Sequence, residues 1–341
     1  MIKDDFFKTL GSPWLWGIVV LAALSPLVLT SYHMHILTIA LVYVALASAW
    51  NIVGGMSGQI SLAHSLFIGT GAMLSSALLV KLGINMWAGL VISAVVAGML
   101  GAIIAWIDFR FQLGHLSFVL ITLAFGEMAG IVVEGWDFLG GASGLLLPRD
   151  VGNILQFQFG GGRGAFWVML GLATFIVLVN VAILNSPLGY YLRTIRDNER
   201  AAQAIGVNVL RHKTIAMVIS AVLTSIVGTA YVRYLTFADP YLLASPVITI
   251  EIVLFATVGG LGRAYGPALG ALLLVPLGEL LRGKLGGAVP GLHYFIYGIV
   301  VIVVILATPS GLLPLLEKII WRRRAKGLSH DGEQFGGRRG Q

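Results

Sequence analysis

The sequence predicts an all-α, polytopic integral membrane protein with about ten transmembrane helices, some broken by glycine. Three observations carry this. The chain of 341 residues is 57% hydrophobic and 11% charged, where soluble domains average about 45–50% and about 25%. Apolar runs of about 18 residues or more recur along its length, and mean hydropathy is +0.91. The apolar–polar alternation of a transmembrane β-barrel, in segments of about ten residues, does not occur.

The elements follow in order. Residues 1–12 are polar, and the run from Pro13 to Thr30 reads as a retained first helix without a small-residue cleavage site. A second helix spans about Ile36 to Val53 and ends in NIVGGMSGQISLAHSLFIGTGA. Glycine costs a soluble helix stability, yet in lipid it permits breaks and close helix contact. A third helix continues to about Val80, a fourth covers about Asn85–Ile107, and a fifth covers about Leu116–Glu134. Residues 135–164 form a Gly-rich loop too polar to span, and a sixth helix covers about Ala165–Leu184. The seventh runs from Thr214 to about Thr236. The eighth begins near Ile248 and breaks at VGGLGRAYGP. The ninth covers about Ala268–Leu281 and the tenth about Leu292–Ala307. Residues 309–341 form a basic, partly disordered tail.

Ten spans place both termini and residues 186–213 on one side. Only Lys81, Arg149, Arg163, Arg233, Arg282 and Lys284, of 22 Lys and Arg, then fall on the other. The positive-inside rule makes the richer side cytoplasmic, with the 135–164 loop external. The net charge of +7 is thus read as membrane orientation rather than nucleic-acid binding. With no cysteine, disulfide, iron–sulfur and thiolate–metal chemistry are excluded. His33 and His35, two residues apart, do not share a helix face, and no metal site is indicated.

Residues 186–213, SPLGYYLRTIRDNERAAQAIGVNVLRHK, are the most polar interruption in the chain. Serine followed by proline suits a helix start. Asp197 or Asn198 then caps a second short helix, ERAAQAI, which Gly206 ends in a left-handed conformation. On that helix Ala201, Ala202 and Ile205 lie near one stripe, with Arg196, Glu199 and Arg200 around them. Two readings fit: a knob for the groove of another protein, or a basic segment lying on lipid.

Four stretches together resemble one family: RTIRDNERAAQAIGVNVLRHK, NIVGGMSGQISLAHSLFIGTGA, ITLAFGE and IEIVLFATVGGLGRAYGPALGALLL. They are similar to the permeases of branched-chain amino acid ABC importers, in particular the longer, second permease of the heterodimeric pair. Arg200-Ala-Ala-Gln-Ala-Ile-Gly206 resembles that class's EAA coupling loop, although the leading glutamate stands at Glu199 or is replaced by Arg200. The resemblance implies a permease subunit of a bacterial inner-membrane importer. It implies a homologous second permease, two ATPase subunits carrying ATP and magnesium, and an external substrate-binding protein. Arg196, Asp197, Asn198, Glu199, Ala201, Ala202, Ile205 and Gly206 would then form the ATPase contact. Trp136, Asp137, Gly140 and Gly141 would face the binding protein, unless that loop is a plain connector.

Gln59, Ser61 and His64 at the first break, with Glu127 and Glu251, fall in or beside apolar runs. Ionisable groups there face a bundle interior or a water path. They either line a translocation route or are satisfied structurally. Glu127 and Glu251 also admit an alternative, a self-sufficient transporter or channel driven by an ion gradient. Gly278-Glu-Leu-Leu-Arg-Gly-Lys284 approaches a phosphate loop, but Leu285 replaces the required Ser or Thr. No catalytic or nucleotide site of its own is expected. VGG at both breaks hints at an internal repeat, and paired broken helices are where transporters handle substrate.

Overall fold

The computed structural model describes residues 13–27, 29–111, 114–285, 292–308, 311–315 and 318. Its long helices are α1 (Pro13–Leu24), α2 (Ser31–Asn51), α5 (Met86–Phe111), α6 (His115–Gly135), α7 (Gly162–Leu184), α10 (Val209–Leu235), α12 (Pro246–Gly259), α13 (Gly266–Leu285) and α14 (Leu292–Ala307). Between them lie the short helices α3 (His64–Gly69), α4 (Ser75–Leu82), α8 (Pro187–Asp197), α9 (Glu199–Ala204) and α11 (Pro240–Leu243). A two-residue antiparallel ladder, β1 (Leu145–Leu146) with β2 (Phe237–Ala238), closes one end of the bundle.

Among the described residues, seven helical stretches are long and apolar enough to cross a membrane. They are Ser31–Met56, His64–Leu82, Met86–Phe111, His115–Gly135, Gly162–Leu184, Val209–Leu235 and Pro240–Gly259. These coincide with the second to eighth expected spans. The three others differ. The helix α1 has 12 residues and α14 has 16. The helix α13 carries Pro276 internally and Arg282 and Lys284 in its last turn. Residues 1–12 and nearly all of the 309–341 tail lie outside the described residues.

Several helices start earlier than their apolar runs. Polar residues at the ends take part, because a helix needs satisfied backbone there rather than hydrophobicity. Thus Asn208 Oδ1 accepts from Arg211 N at 3.0 Å, which brings Arg211, His212 and Lys213 into α10 instead of a loop. Ser245 Oγ accepts from Val247 N at 3.3 Å and starts α12 at Pro246.

At the centre stands α2. Its buried residues run from Met34 to Asn51 and include Trp50, which is fully enclosed. It packs against α7, α10, α12 and α13. The helix α10 lies along α5, where Gly101 faces Ala221 and Gly98 faces Val222. Small residues allow this approach where no hydrophobic force separates helix from lipid. The opposite face of α5 exposes Val91, Val95, Met99, Ile103 and Trp106 at successive turns, a surface suited to lipid. Two π-helical turns, Ile52–Met56 and Thr70–Leu74, interrupt the spans.

Candidate functional site at the glycine breaks

The helix α8 begins as its sequence implies. Ser186 Oγ accepts from Gly189 N at 3.4 Å and Pro187 occupies the first turn. Asn198, not Asp197, caps α9, accepting from Ala201 N at 3.0 Å. Gly206 follows α9 with φ +88°, a left-handed conformation that glycine adopts without penalty. The two helices form an elbow over a small apolar core of Ile195, Ala202 and Val209, with Val207 against it. The expected stripe is therefore split. Ala202 faces inward and is fully buried, while Ala201 and Ile205 are exposed, Ile205 at 74%. The elbow needs an inward anchor, and Ala202 supplies it. Asp197 is 75% exposed and lies 3.8 Å from Arg196.

Two polar links join this elbow to the first glycine break. Arg196 Nη1 donates to Gly55 O at 2.9 Å. Glu199 Oε2 accepts from Lys213 Nζ at 2.8 Å, and Lys213 Nζ lies 3.5 Å from Asp108 Oδ2. Gln59 Nε2 then donates to that same oxygen of Asp108 at 2.6 Å. The chain of contacts runs from α9 through the start of α10 and the end of α5 to the break. Lys213 and Asp108 are almost enclosed, their side chains 9% and 6% exposed. Within the polar 186–213 stretch, Lys213 is thus enclosed rather than solvated. Its charge is tolerated because it is paired.

The two VGG breaks meet. Asn51 Oδ1 accepts from Gly262 N at 3.0 Å, and Asn51 Nδ2 donates to Arg263 O and to Asn180 Oδ1, each at 3.1 Å. Asn180 Nδ2 donates to Ser48 O at 2.8 Å. Gly262, at φ +72°, sits so close to Gly55 that a side-chain carbon at either would strike the other's backbone. Beside this junction opens a cavity of about 570 Å³ lined by Tyr190, Arg193, Arg196, Arg263 and Tyr265.

The translocation candidates divide. Gln59 belongs to the ionic chain just described. Ser61 is buried: its carbonyl accepts from Trp50 Nε1 at 2.8 Å and its hydroxyl accepts from Ala63 N at 3.4 Å. His64 is fully buried between the Trp50 and Phe67 rings. Ser220 Oγ donates to Ala49 O at 2.8 Å, so His64 Nε2 must be the protonated nitrogen in its 2.8 Å contact with Ser220. That leaves Nδ1 as an acceptor without a partner among the described residues. Glu251, partly buried on α12, accepts from the Tyr43 hydroxyl of α2. Glu127 stands apart, exposed on the outward face of α6 among Leu120, Met128 and Ile131.

At the opposite end, Trp136 is 55% exposed and Asp137 is exposed beside it. Gly140 and Gly141 adopt positive φ in the turn that leads to β1. The loop is fastened as well as connecting. Trp87 Nε1 donates to Ile154 O at 2.9 Å, and β1 pairs with β2. Gly278–Lys284 lies inside α13 as continuous helix, without the strand–loop–helix geometry of a phosphate loop.

The residues that sequence reasoning missed are Asn51, Asp108, Asn180 and Lys213. All are polar groups inside or at the ends of apolar runs, the signal that also pointed to His64.

Comparison with known proteins agrees with this architecture. The family described as "Branched-chain amino acid transport system / permease component" matches residues 32–305. The high-affinity branched-chain amino acid transport system permease protein LivM of Escherichia coli (strain K12) is 26% identical over 327 residues, covering 89% of this chain and 75% of that protein. Its Salmonella typhimurium counterpart is 25% identical with the same coverage. The probable branched-chain amino acid transport permease protein LivM of Methanocaldococcus jannaschii is 26% identical over 253 residues, 71% of this chain and 72% of that protein. No solved structure matches. With most of its length matched and its helices arranged around two apposed glycine breaks, the chain belongs to the branched-chain amino acid transport system permease family.

Proposed function

We propose that this chain is the membrane-spanning permease subunit of an ATP-driven importer that carries branched-chain amino acids or similar small polar solutes into the cytoplasm. The family match supports the transport role. The observation that carries the mechanism is the pair of links from the α8–α9 elbow to the glycine break, Arg196 to Gly55 and Glu199–Lys213–Asp108–Gln59. A force on the elbow reaches the junction of the two broken helices through them.

In this reading two ATPase subunits hold ATP and magnesium and dock on the exposed surface of Asp197, Arg200, Ala201 and Ile205, with Arg196 and Glu199 behind it. Asn198 and Gly206 shape that surface. A homologous second permease lies beside the chain, and an external binding protein meets Trp136, Asp137, Gly140 and Gly141. Membrane lipids cover the remaining apolar faces. The elbow lies in the cytoplasm, as do both termini, and the 135–164 loop lies outside the plasma membrane. The rocking of packed helices about the junction of Asn51, Gly55 and Gly262 alternates access, with Ser61, His64 and Glu251 close to the route. No bond is made or broken by this chain.

The test is co-expression with ABC importer ATPase subunits from the same organism, followed by purification and reconstitution. Wild-type chain is expected to bring the ATPases with it, and Ile205→Asp to release them while remaining folded. Uptake by the chain alone, driven by a proton or sodium gradient, overturns the reading.

A further inference from the structure

The end opposite the elbow holds a second, unassigned polar site. A cavity of about 90 Å³ lies between the 150–161 loop, α7 and α10, and Arg233 and Asp150 both line it. Arg233, in the last turn of α10, is only 5% exposed. Its Nη1 donates to Pro148 O at 2.8 Å. Its Nε and Nη2 are buried and have no hydrogen-bond partner among the described residues. These two nitrogens share one edge of the guanidinium, the edge that grips both oxygens of a planar anion. Buried charged donors are costly without an acceptor, so this edge calls for one.

Asp150 does not supply it. Its Oδ1 accepts from Gly152 N at 2.8 Å and Gly160 N at 3.1 Å, and its Oδ2 from Phe159 N at 3.2 Å and Gly161 N at 3.3 Å. Four amides occupy the carboxylate's four lone-pair sites. Its charge nevertheless remains in the lining.

We propose that Arg233 receives the carboxylate of a free amino acid at this end of the permease. The volume equals about three waters at about 30 Å³ each. It admits a carboxylate and its α-carbon but no protein segment. The neighbouring negative charge of Asp150 repels a multiply charged anion and tolerates a zwitterion, whose net charge is zero. Phe159, Val168 and Met169 offer apolar surface to the side chain that follows. This deepens the proposed amino-acid transport and rests on it.

The test uses the assembled permease–ATPase complex in nanodiscs without binding protein. Binding of L-leucine, of its amino alcohol L-leucinol and of acetate is measured directly. Leucine is expected to bind, leucinol at least about tenfold more weakly, and acetate to compete. Arg233→Gln should weaken leucine by about tenfold or more. Arg233→Lys should fall between, keeping the charge without the fork. Equal binding of leucine and leucinol overturns the proposal, and so does acetate binding without leucine. No binding of either means that water alone fills the cavity, which also overturns it. Should Arg233→Gln fail to fold, the leucine–leucinol comparison on wild-type protein still decides. A complex that transports but binds no leucine here sinks this inference alone. A chain that binds leucine but neither recruits ATPases nor transports with them sinks the proposed function instead.

Discussion

Lys213 Nζ lies 3.5 Å from Asp108 Oδ2, with both side chains nearly enclosed at 9% and 6% exposure. One belongs to the start of α10 and the other to the end of α5, and Glu199 and Gln59 extend the pair in both directions. Removing one member of a buried ion pair strands the other, at about 3–5 kcal/mol. Replacing both by apolar residues of similar volume is often neutral. Lys213→Met and Asp108→Leu are therefore each expected to lower thermal stability sharply, and the double variant to recover most of it. If the pair also transmits movement, the stable double variant should hydrolyse ATP with its partners yet lose substrate-stimulated uptake. A double variant with normal uptake would reduce the pair to a structural role.

Arg196 offers a second, separable link. It is partly exposed and binds the carbonyl of Gly55, 141 residues away in sequence. Arg196→Gln removes the charged donor at a cost to stability of about 1 kcal/mol. The expected phenotype is an intact complex whose uptake falls several-fold at unchanged ATPase content. Reconstituted transport assays with parallel quantification of bound ATPase check this. Loss of the ATPases themselves would place Arg196 in the docking surface instead.

Much of this arrangement is legible in the amino-acid sequence. Long apolar runs mark seven spans, and the Ser186–Pro187 start and the glycine after α9 set the elbow. Those are local signals, each contained within a turn or two of chain. The pairing of Asn51 with Asn180 joins residues 129 apart in sequence, and no periodicity foretells which buried amide meets which. Lys213 reads as one more loop cation because a capped helix start, Asn208, lies hidden in a polar stretch. Ala202 shares a helical stripe with Ala201 and Ile205, but only the elbow's tertiary packing tells which side faces in. Arg233 looks like a topology determinant, and its enclosure depends on a loop that folds over it from residue 148.

Glu127 and Glu251 sit in different surroundings, one exposed on an apolar helix face and the other bonded to Tyr43. Among the described residues no hydrogen bond joins the two. Glu127→Gln is expected to leave uptake within about twofold of wild type, since an exposed surface substitution usually changes stability by less than about 0.5 kcal/mol. Glu251→Gln keeps an acceptor for the Tyr43 hydroxyl, so it too should retain most activity, whereas Glu251→Leu should not. Uptake assays at several external pH values check both. Abolition of uptake by Glu127→Gln would favour gradient coupling.

The 150–161 loop should carry its own response to acid. Partial burial raises the Asp150 pKa, but the amides of Gly152, Gly160, Gly161 and Phe159 outweigh it and hold the group below its usual 3.8. A carboxylate whose folded pKa is depressed adds stability above its unfolded pKa, and that stability fades as pH falls through the folded one. The loop is accordingly expected to be firm at neutral pH and to loosen only below about pH 4. Asp150→Asn mimics the neutral form at every pH and leaves part of the amide set without an acceptor. Hydrogen exchange at Phe159, Gly160 and Gly161 should therefore be faster in Asp150→Asn than in wild type at pH 7. Equal exchange at pH 7 would show that the loop is held by β1–β2 pairing and by Trp87 rather than by this carboxylate.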